Sequence, residues 1–190
     1  LIETPEAVAC IDEILEIDGI DEIFVGLNDL SLGYGMKFMF QLLVDGTVGR
    51  LCGKFKAKGI PYGFGGIAAL GKGMLPSERV IAEHYRLGST CAILSRSFCN
   101  TNLVTDLQEV RCVFEQGLKA IRLREQQCAN GQVDFIVASS GAEQHTFITQ
   151  AEHNIYAQAG VSDQVFASNG SSTLESSIKN DISLMMYLAH

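Results

Sequence analysis

Basic residues are scarce in this chain: 14 Lys and Arg stand against 22 Asp and Glu, a formal net charge of −8 over 190 residues. Nucleic-acid binders carry a basic face, so no nucleic-acid partner is expected. The same deficit argues against an anionic membrane surface, while it suits a site for a divalent cation. Long hydrophobic runs are missing too. No apolar stretch reaches the roughly 18 residues that a membrane-crossing helix needs, so no membrane span is predicted. Cysteines occur at Cys10, Cys52, Cys91, Cys99, Cys112 and Cys128, never at CxxC or another close metal-ligand spacing. Most fall on apolar faces and read as reduced thiols of a cytoplasmic protein rather than a disulfide framework. There is no charged segment leading into an apolar one at the start, hence no signal peptide. Leu1 is not a Met, and Leu1, Ile2 and Glu3 already look like a strand end, so the chain reads as a fragment whose upstream part is missing.

What is present is ordinary for a folded soluble protein: 47% hydrophobic and 19% charged residues, with length for one domain or slightly more. Up to about residue 125 one rhythm repeats, a short apolar strand, a loop and an amphipathic helix. Thr4 followed by Pro5 is a helix start, and Val8, Ile11, Ile14 and Leu15 give its apolar stripe. Strands are predicted over 22–26, 60–64 and 91–94, and a helix over 36–43. Asp45 and Gly46 make a turn, after which Val48, Leu51, Cys52 and Phe55 mark a helix that Gly59 ends. Pro76 opens another helix that Gly88 closes, and Leu107, Val110, Phe114, Leu118 and Ile121 mark a long one over 106–125.

Strands alternating with helices imply an α/β fold with parallel strands. At about 25–30 residues per unit, four βα units make half of a (β/α)₈ barrel or a small open sheet. The composition then shifts near residue 128. From Asn130 on, the only Lys or Arg is Lys179, and Ser and Gln are frequent. Residues 129–190 form an unassigned C-terminal segment of mixed α/β character, with a strand predicted over 133–138 and helices over 143–159 and 173–188.

Two carboxylates occupy equivalent places: Glu3 follows the first strand and Asp29 the second. Consecutive parallel strands are usually neighbours about 4.8 Å apart, so both side chains emerge at the C-terminal edge, where such folds place their sites. Two oxygen donors there suit Mg²⁺ or Mn²⁺, with water and substrate completing the shell. The alternative is that Asp29 caps the next helix and Glu3 is solvated.

IETPEAV at 2–8, followed by FVGLNDLS at 24–31, resembles the HpcH/HpaI aldolase and citrate lyase family of metal-dependent lyases on a TIM barrel. GFGGIAALGKG at 63–73 and LGSTCAILSRSFCN at 87–100 resemble the family's last two strands. Leu27 stands where the family often has Pro, and Asn28 precedes the Asp. The likeness covers residues 1 to about 125 and implies a partial aldolase-like barrel over 1–128, the C-terminal half of the TIM-like domain. It implies Glu3 and Asp29 as ligands of a Mg²⁺ or Mn²⁺ ion. That metal would chelate the carboxylate and keto oxygens of a pyruvate-like unit or another 2-keto acid. The implied function is a carbon–carbon lyase working through a metal-stabilised enolate. Backbone N–H groups around Asn28 and Asp29 are placed to receive the substrate carboxylate. Family members add an Arg and a His from earlier strands. The alternative is a catalytically incomplete fragment or a non-catalytic family member serving in metal binding or assembly. Open sheet edges favour a homo-oligomer in either case.

Other candidates carry both a functional and a plain reading. Gly65 and Gly66, with Gly71 and Gly73, can admit a phosphate or carboxylate to the backbone, or are tight turns; no GxxxxGK[ST] pattern is present. Arg96, just past the fourth strand, pairs with an acidic substrate or with a neighbouring acid. His84 beside Glu83 reads as a surface residue. His145 and His153 are not at the i, i+4 spacing of a helical metal pair and receive no role. Cys91 and Cys99 read as core. GYGMKFMF at 33–40 reads as core packing, with closure over the site or a subunit interface as the alternative.

Overall fold

Thr4 and Pro5 start the first helix as their chemistry dictates. The computed structural model describes residues 1–73, 75–132 and 184–187. In it Thr4 is extended and its Oγ1 accepts the Ala7 N–H at 3.1 Å, while Pro5 takes the first helical position, where no N–H is needed. The expected single helix is two, α1 (Pro5–Ala9) and α2 (Ile11–Ile14), interrupted at Cys10. Ile11 and Leu15 are buried, whereas Val8 and Ile14 only border the core.

Three strands run parallel in the order β1 (Ile23–Val25), β2 (Tyr62–Ile67) and β3 (Cys91–Leu94). Ile2 adds a single parallel bridge to Val25 at the outer edge of β1. The helices α3 (Leu27–Gly33), α4 (Gln41–Val44) and α5 (Thr47–Lys58) follow β1. After β2 comes α6 (Ser77–Leu87), and after β3 comes α7 (Leu107–Ala129). The described residues therefore form an α/β fold with a small parallel sheet. Gly59 and Gly88 close α5 and α6 in the left-handed conformation, φ 69° and 71°. The helix predicted over 36–43 is reduced to α4. Phe38 and Phe40 instead enter the core, their rings 5.4 Å apart edge to face. Packing overrides the local pattern there.

Apolar residues collect in two clusters. The larger joins Ile2 and β1 to α1–α5 through residues such as Leu30, Leu42, Leu51 and Phe55. The smaller gathers Ile67, Ala92 and Leu94 of the sheet with Ile81, Phe98 and Ile121, under α6 and α7. Burying each such large side chain contributes roughly 1.5–3 kcal/mol before entropy is counted.

Two expectations are corrected. Residues 184–187 are not helical. They form β4 (Leu184–Tyr187), antiparallel to β3, with Cys91 opposite Tyr187 and Leu94 opposite Leu184. A short apolar run fits either state by periodicity, and β3 would otherwise present an unpaired edge. His84 is not a surface residue either. Its ring stacks on Phe64 at 3.9 Å between centroids, and its Nδ1 lies 2.8 Å from the Ser89 hydroxyl. Glu83 beside it is equally buried, because Arg86 binds it. The segments predicted at 133–138 and 143–159, with His145 and His153, lie outside the described residues. Among those described, no helix is long and apolar enough to cross a membrane.

Candidate functional site

The pairing of Ile2 with β1 decides where Glu3 goes. The Ile2 N–H donates to Phe24 O at 2.8 Å, and the Gly26 N–H donates to Ile2 O at 2.9 Å. Glu3 and Gly26 therefore leave adjacent parallel segments at the same end. A Cβ on Gly26 would sit 2.6 Å from Glu3 Cγ, so only glycine leaves room for this carboxyl arm. The chain then turns directly into α3, and Asp29 lies in its first turn. Asp29 is not the helix cap. That position is Gly26, with no side-chain bond, and Asp29 Oδ1 accepts the Asn28 side-chain amide at 3.2 Å. Asn28 is tied down in turn, because its backbone oxygen accepts the Ser31 hydroxyl at 2.7 Å.

A cavity of about 390 Å³ opens at this edge of the sheet, and Glu3, Asn28, Asp29, Gly65, Gly66 and Arg96 all line it. The structure thus brings together all six residues singled out in the sequence. Gly65 has a positive φ of 56°, and a Cβ there would lie 2.7 Å from Leu27 Cδ1. Ser95 and Ser97 flank Arg96 on the same wall, and Ser95 Oγ donates to Ile67 O at 3.1 Å. Sequence reasoning missed both serines, although their place just past β3 was a usable signal. It also missed Gly26, whose role depends on Glu3 arriving from another segment. Met39 and Phe40 supply an apolar wall, so the 33–40 segment serves both the core and the cavity.

Glu3 is half-buried. Burial, first, and the negative charge of Asp29, second, push its carboxyl above the ordinary range. The negative charge of Asp29 thus makes ionisation of Glu3 costlier, and a nearby cation would relieve that cost. Among the described residues no cluster of three or more His, Cys, Asp and Glu forms. Mg²⁺ commonly uses only one or two protein carboxylates and keeps several waters, so this donor pair fits such an ion. Cys52 and Cys91 are poor candidates for a nucleophile. Burial pushes Cys52 and Cys91 up to about 12, and Cys91 Sγ lies 2.5 Å from Glu22 Oε1. All six cysteines are unpaired; Cys52, Cys91 and Cys128 are buried and Cys99 packs against the smaller apolar cluster, in keeping with an apolar placement for most of them, whereas Cys10 and Cys112 are exposed.

A second cleft of comparable size, about 420 Å³, lies beside Gly71 and Arg124. It lacks the acid pair and the strand ends, so the cavity around Glu3 is the candidate site.

Over 35 residues the chain is 60% identical to a hydroxypyruvate/pyruvate aldolase of Rhizorhabdus wittichii; the match covers 18% of this chain and 14% of that protein. No family model and no solved structure matches. This short likeness points toward an aldolase-like family.

Proposed function

We propose that this chain carries the metal-holding part of a divalent-metal-dependent carbon–carbon lyase of the aldolase type. Its substrate class is a pyruvate-like or other 2-keto acid. The carrying observation is the convergence of Glu3 and Asp29 in one cavity at the C-terminal strand ends, where Asp29 raises the proton affinity of Glu3. Two further facts support it: the short identity to an aldolase, and the HpcH/HpaI-like motifs around both acids. On this reading the parallel strands are part of a (β/α)₈ barrel.

Glu3 and Asp29 would hold Mg²⁺ or Mn²⁺. When bound, such an ion supplies Lewis-acid stabilisation of negative charge developing on a keto oxygen. The chain's own residues do the positioning. Gly26 seats Glu3, and the Asn28 amide orients Asp29. Arg96 offers positive charge to a substrate carboxylate, and Ser97 offers a hydroxyl. Leu27, Met39 and Phe40 exclude water from the substrate's carbon skeleton.

Calorimetric titration of Mn²⁺ into the wild type, Glu3→Gln and Asp29→Asn tests this assignment. Each substitution is expected to weaken binding at least about tenfold, since each removes a charged ligand. Unchanged affinity in both variants would sink it.

A further inference from the structure

The lining of the cavity around Glu3 is of two kinds. Its polar groups stand at the ends of parallel segments: Glu3 and Asp29 beside β1, Arg96 and Ser97 past β3. Two further hydroxyls on the lining already donate to the backbone, Ser77 Oγ to Ala69 O at 2.9 Å and Ser95 Oγ to Ile67 O at 3.1 Å.

An apolar wall completes it. Leu27, Phe40, Leu75 and Val80 line the cavity and belong to the larger core cluster, and Met39 packs against that cluster. They come from the start of α3, the stretch before α4 and the approach to α6, and they meet as one continuous surface. Met39 is the least buried of the five. Charge is kept off this wall. Lys37, Glu78 and Arg79 belong to the same stretches, yet none of them lines the cavity. Among the described residues Arg96 is the one cation on the lining. A carboxylate carried onto the apolar wall loses water and gains no charged partner from it, which is costly. An alkyl or aryl group gains free energy from the same transfer.

We propose that the substrate is a 2-keto acid whose far end is an alkyl or aryl group, seated on Met39 and the wall behind it. This narrows the substrate class of the proposed metal site and rests on that reading. Arg96 then serves the carboxylate next to the keto group, so a dicarboxylate finds no second cation on the lining. The cavity, about 390 Å³, exceeds what a three-carbon keto acid requires and lies in the range of sites for larger ligands.

Calorimetric titration of pyruvate, 2-oxohexanoate and 2-oxoglutarate into the full chain, with saturating Mn²⁺ and without it, tests the assignment. 2-Oxohexanoate carries an alkyl end and no cleavable hydroxyl. With Mn²⁺ it is expected to bind at least about tenfold more tightly than pyruvate, from roughly fourfold per methylene buried. 2-Oxoglutarate should bind no more tightly than pyruvate. Met39→Gln puts an amide in place of the thioether and should cut the preference for 2-oxohexanoate over pyruvate at least about threefold. Because the preference is a ratio, a general loss of folded protein cancels from it. Equal affinities for pyruvate and 2-oxohexanoate, tighter binding of 2-oxoglutarate, or an undiminished ratio in Met39→Gln overturns the inference and leaves the metal site standing. Affinities unchanged on removing Mn²⁺, with the preference kept, sink the metal reading and leave the apolar seat. No binding of any of the three, with or without Mn²⁺, overturns both.

Discussion

Glu83 and Glu3 are both carboxylates withdrawn from water, and the molecule treats them in opposite ways. Glu83 is fully buried in α6, and Arg86 covers one of its oxygens with two donors at 2.6 and 2.9 Å. Glu125 on α7 is handled alike, by Arg122 at 2.8 and 3.0 Å. Glu3, at the strand ends, is instead set beside a second acid, Asp29, in an open cavity. An acid neutralised within its own helix is architecture. An acid placed beside a like charge, with a glycine as its close neighbour, is raised in proton affinity instead of neutralised, which is the contrast the proposed metal site rests on.

The largest expected effect strikes the architectural member of this comparison. Arg86→Ala strips a charged partner that donates twice to a fully buried carboxylate, and is expected to cost about 3 kcal/mol. Urea unfolding followed by circular dichroism measures it. Asp29→Asn, measured the same way without metal, should change stability by no more than about 0.5 kcal/mol. If the two losses proved equal, the distinction between a structural acid and a ligand-holding acid would fail.

A subtler change attacks the cavity itself. Gly26→Ala adds a Cβ that would lie 2.6 Å from Glu3 Cγ, so the carboxyl arm must move. Overpacking at this half-buried place is expected to cost about 1 kcal/mol. Mn²⁺ affinity should fall about tenfold, because a ligand displaced from its geometry coordinates poorly. Denaturant unfolding and Mn²⁺ calorimetry on the same preparation separate the two effects. Wild-type Mn²⁺ affinity in this variant would show that Glu3 reaches the ion without the space glycine provides.

The two acids also differed in how legible they were. Glu3 and Asp29 could be read from the sequence because each follows a short apolar run that becomes a parallel segment, and strand ends fix side-chain position. Thr4, Gly59 and Gly88 were readable for a similar reason, since helix caps are local chemistry. The burial of Glu83 and His84 was not. It depends on Phe64, which belongs to another strand, and on α7 packing against α6. Phe38 and Phe40 escaped the helix predicted for them because the core draws their rings in. The antiparallel pairing of β4 was hidden because its four residues say nothing of which edge they will meet. Gly26 was hidden because its value lies in the approach of Glu3.

The smallest expected effect is a pH dependence peculiar to the cavity acids. Glu3 titrates above its ordinary value of 4.5 in the folded protein, through burial and then through Asp29. Below that value both folded and unfolded chains hold the proton, and the group makes no difference to stability. As pH rises from 4.5 toward the raised folded value, the unfolded chain ionises first and the folded chain binds the extra proton. Stability contributed by this group therefore falls across that window and is level above it. Glu3→Gln should remove this decline, and Asp29→Asn should shrink it, since burial would remain as the larger cause. Guanidinium midpoints compared between wild type and each variant from about pH 4 to pH 7 measure the difference free of the other titrating groups. Saturating Mn²⁺ should reverse the sign for the wild type. A cation that binds the ionised pair stabilises the folded state more as the proton leaves. A decline identical in wild type and Glu3→Gln would mean that Glu3 does not titrate above its ordinary value, and one left unchanged by Asp29→Asn would mean that the two acids are not coupled.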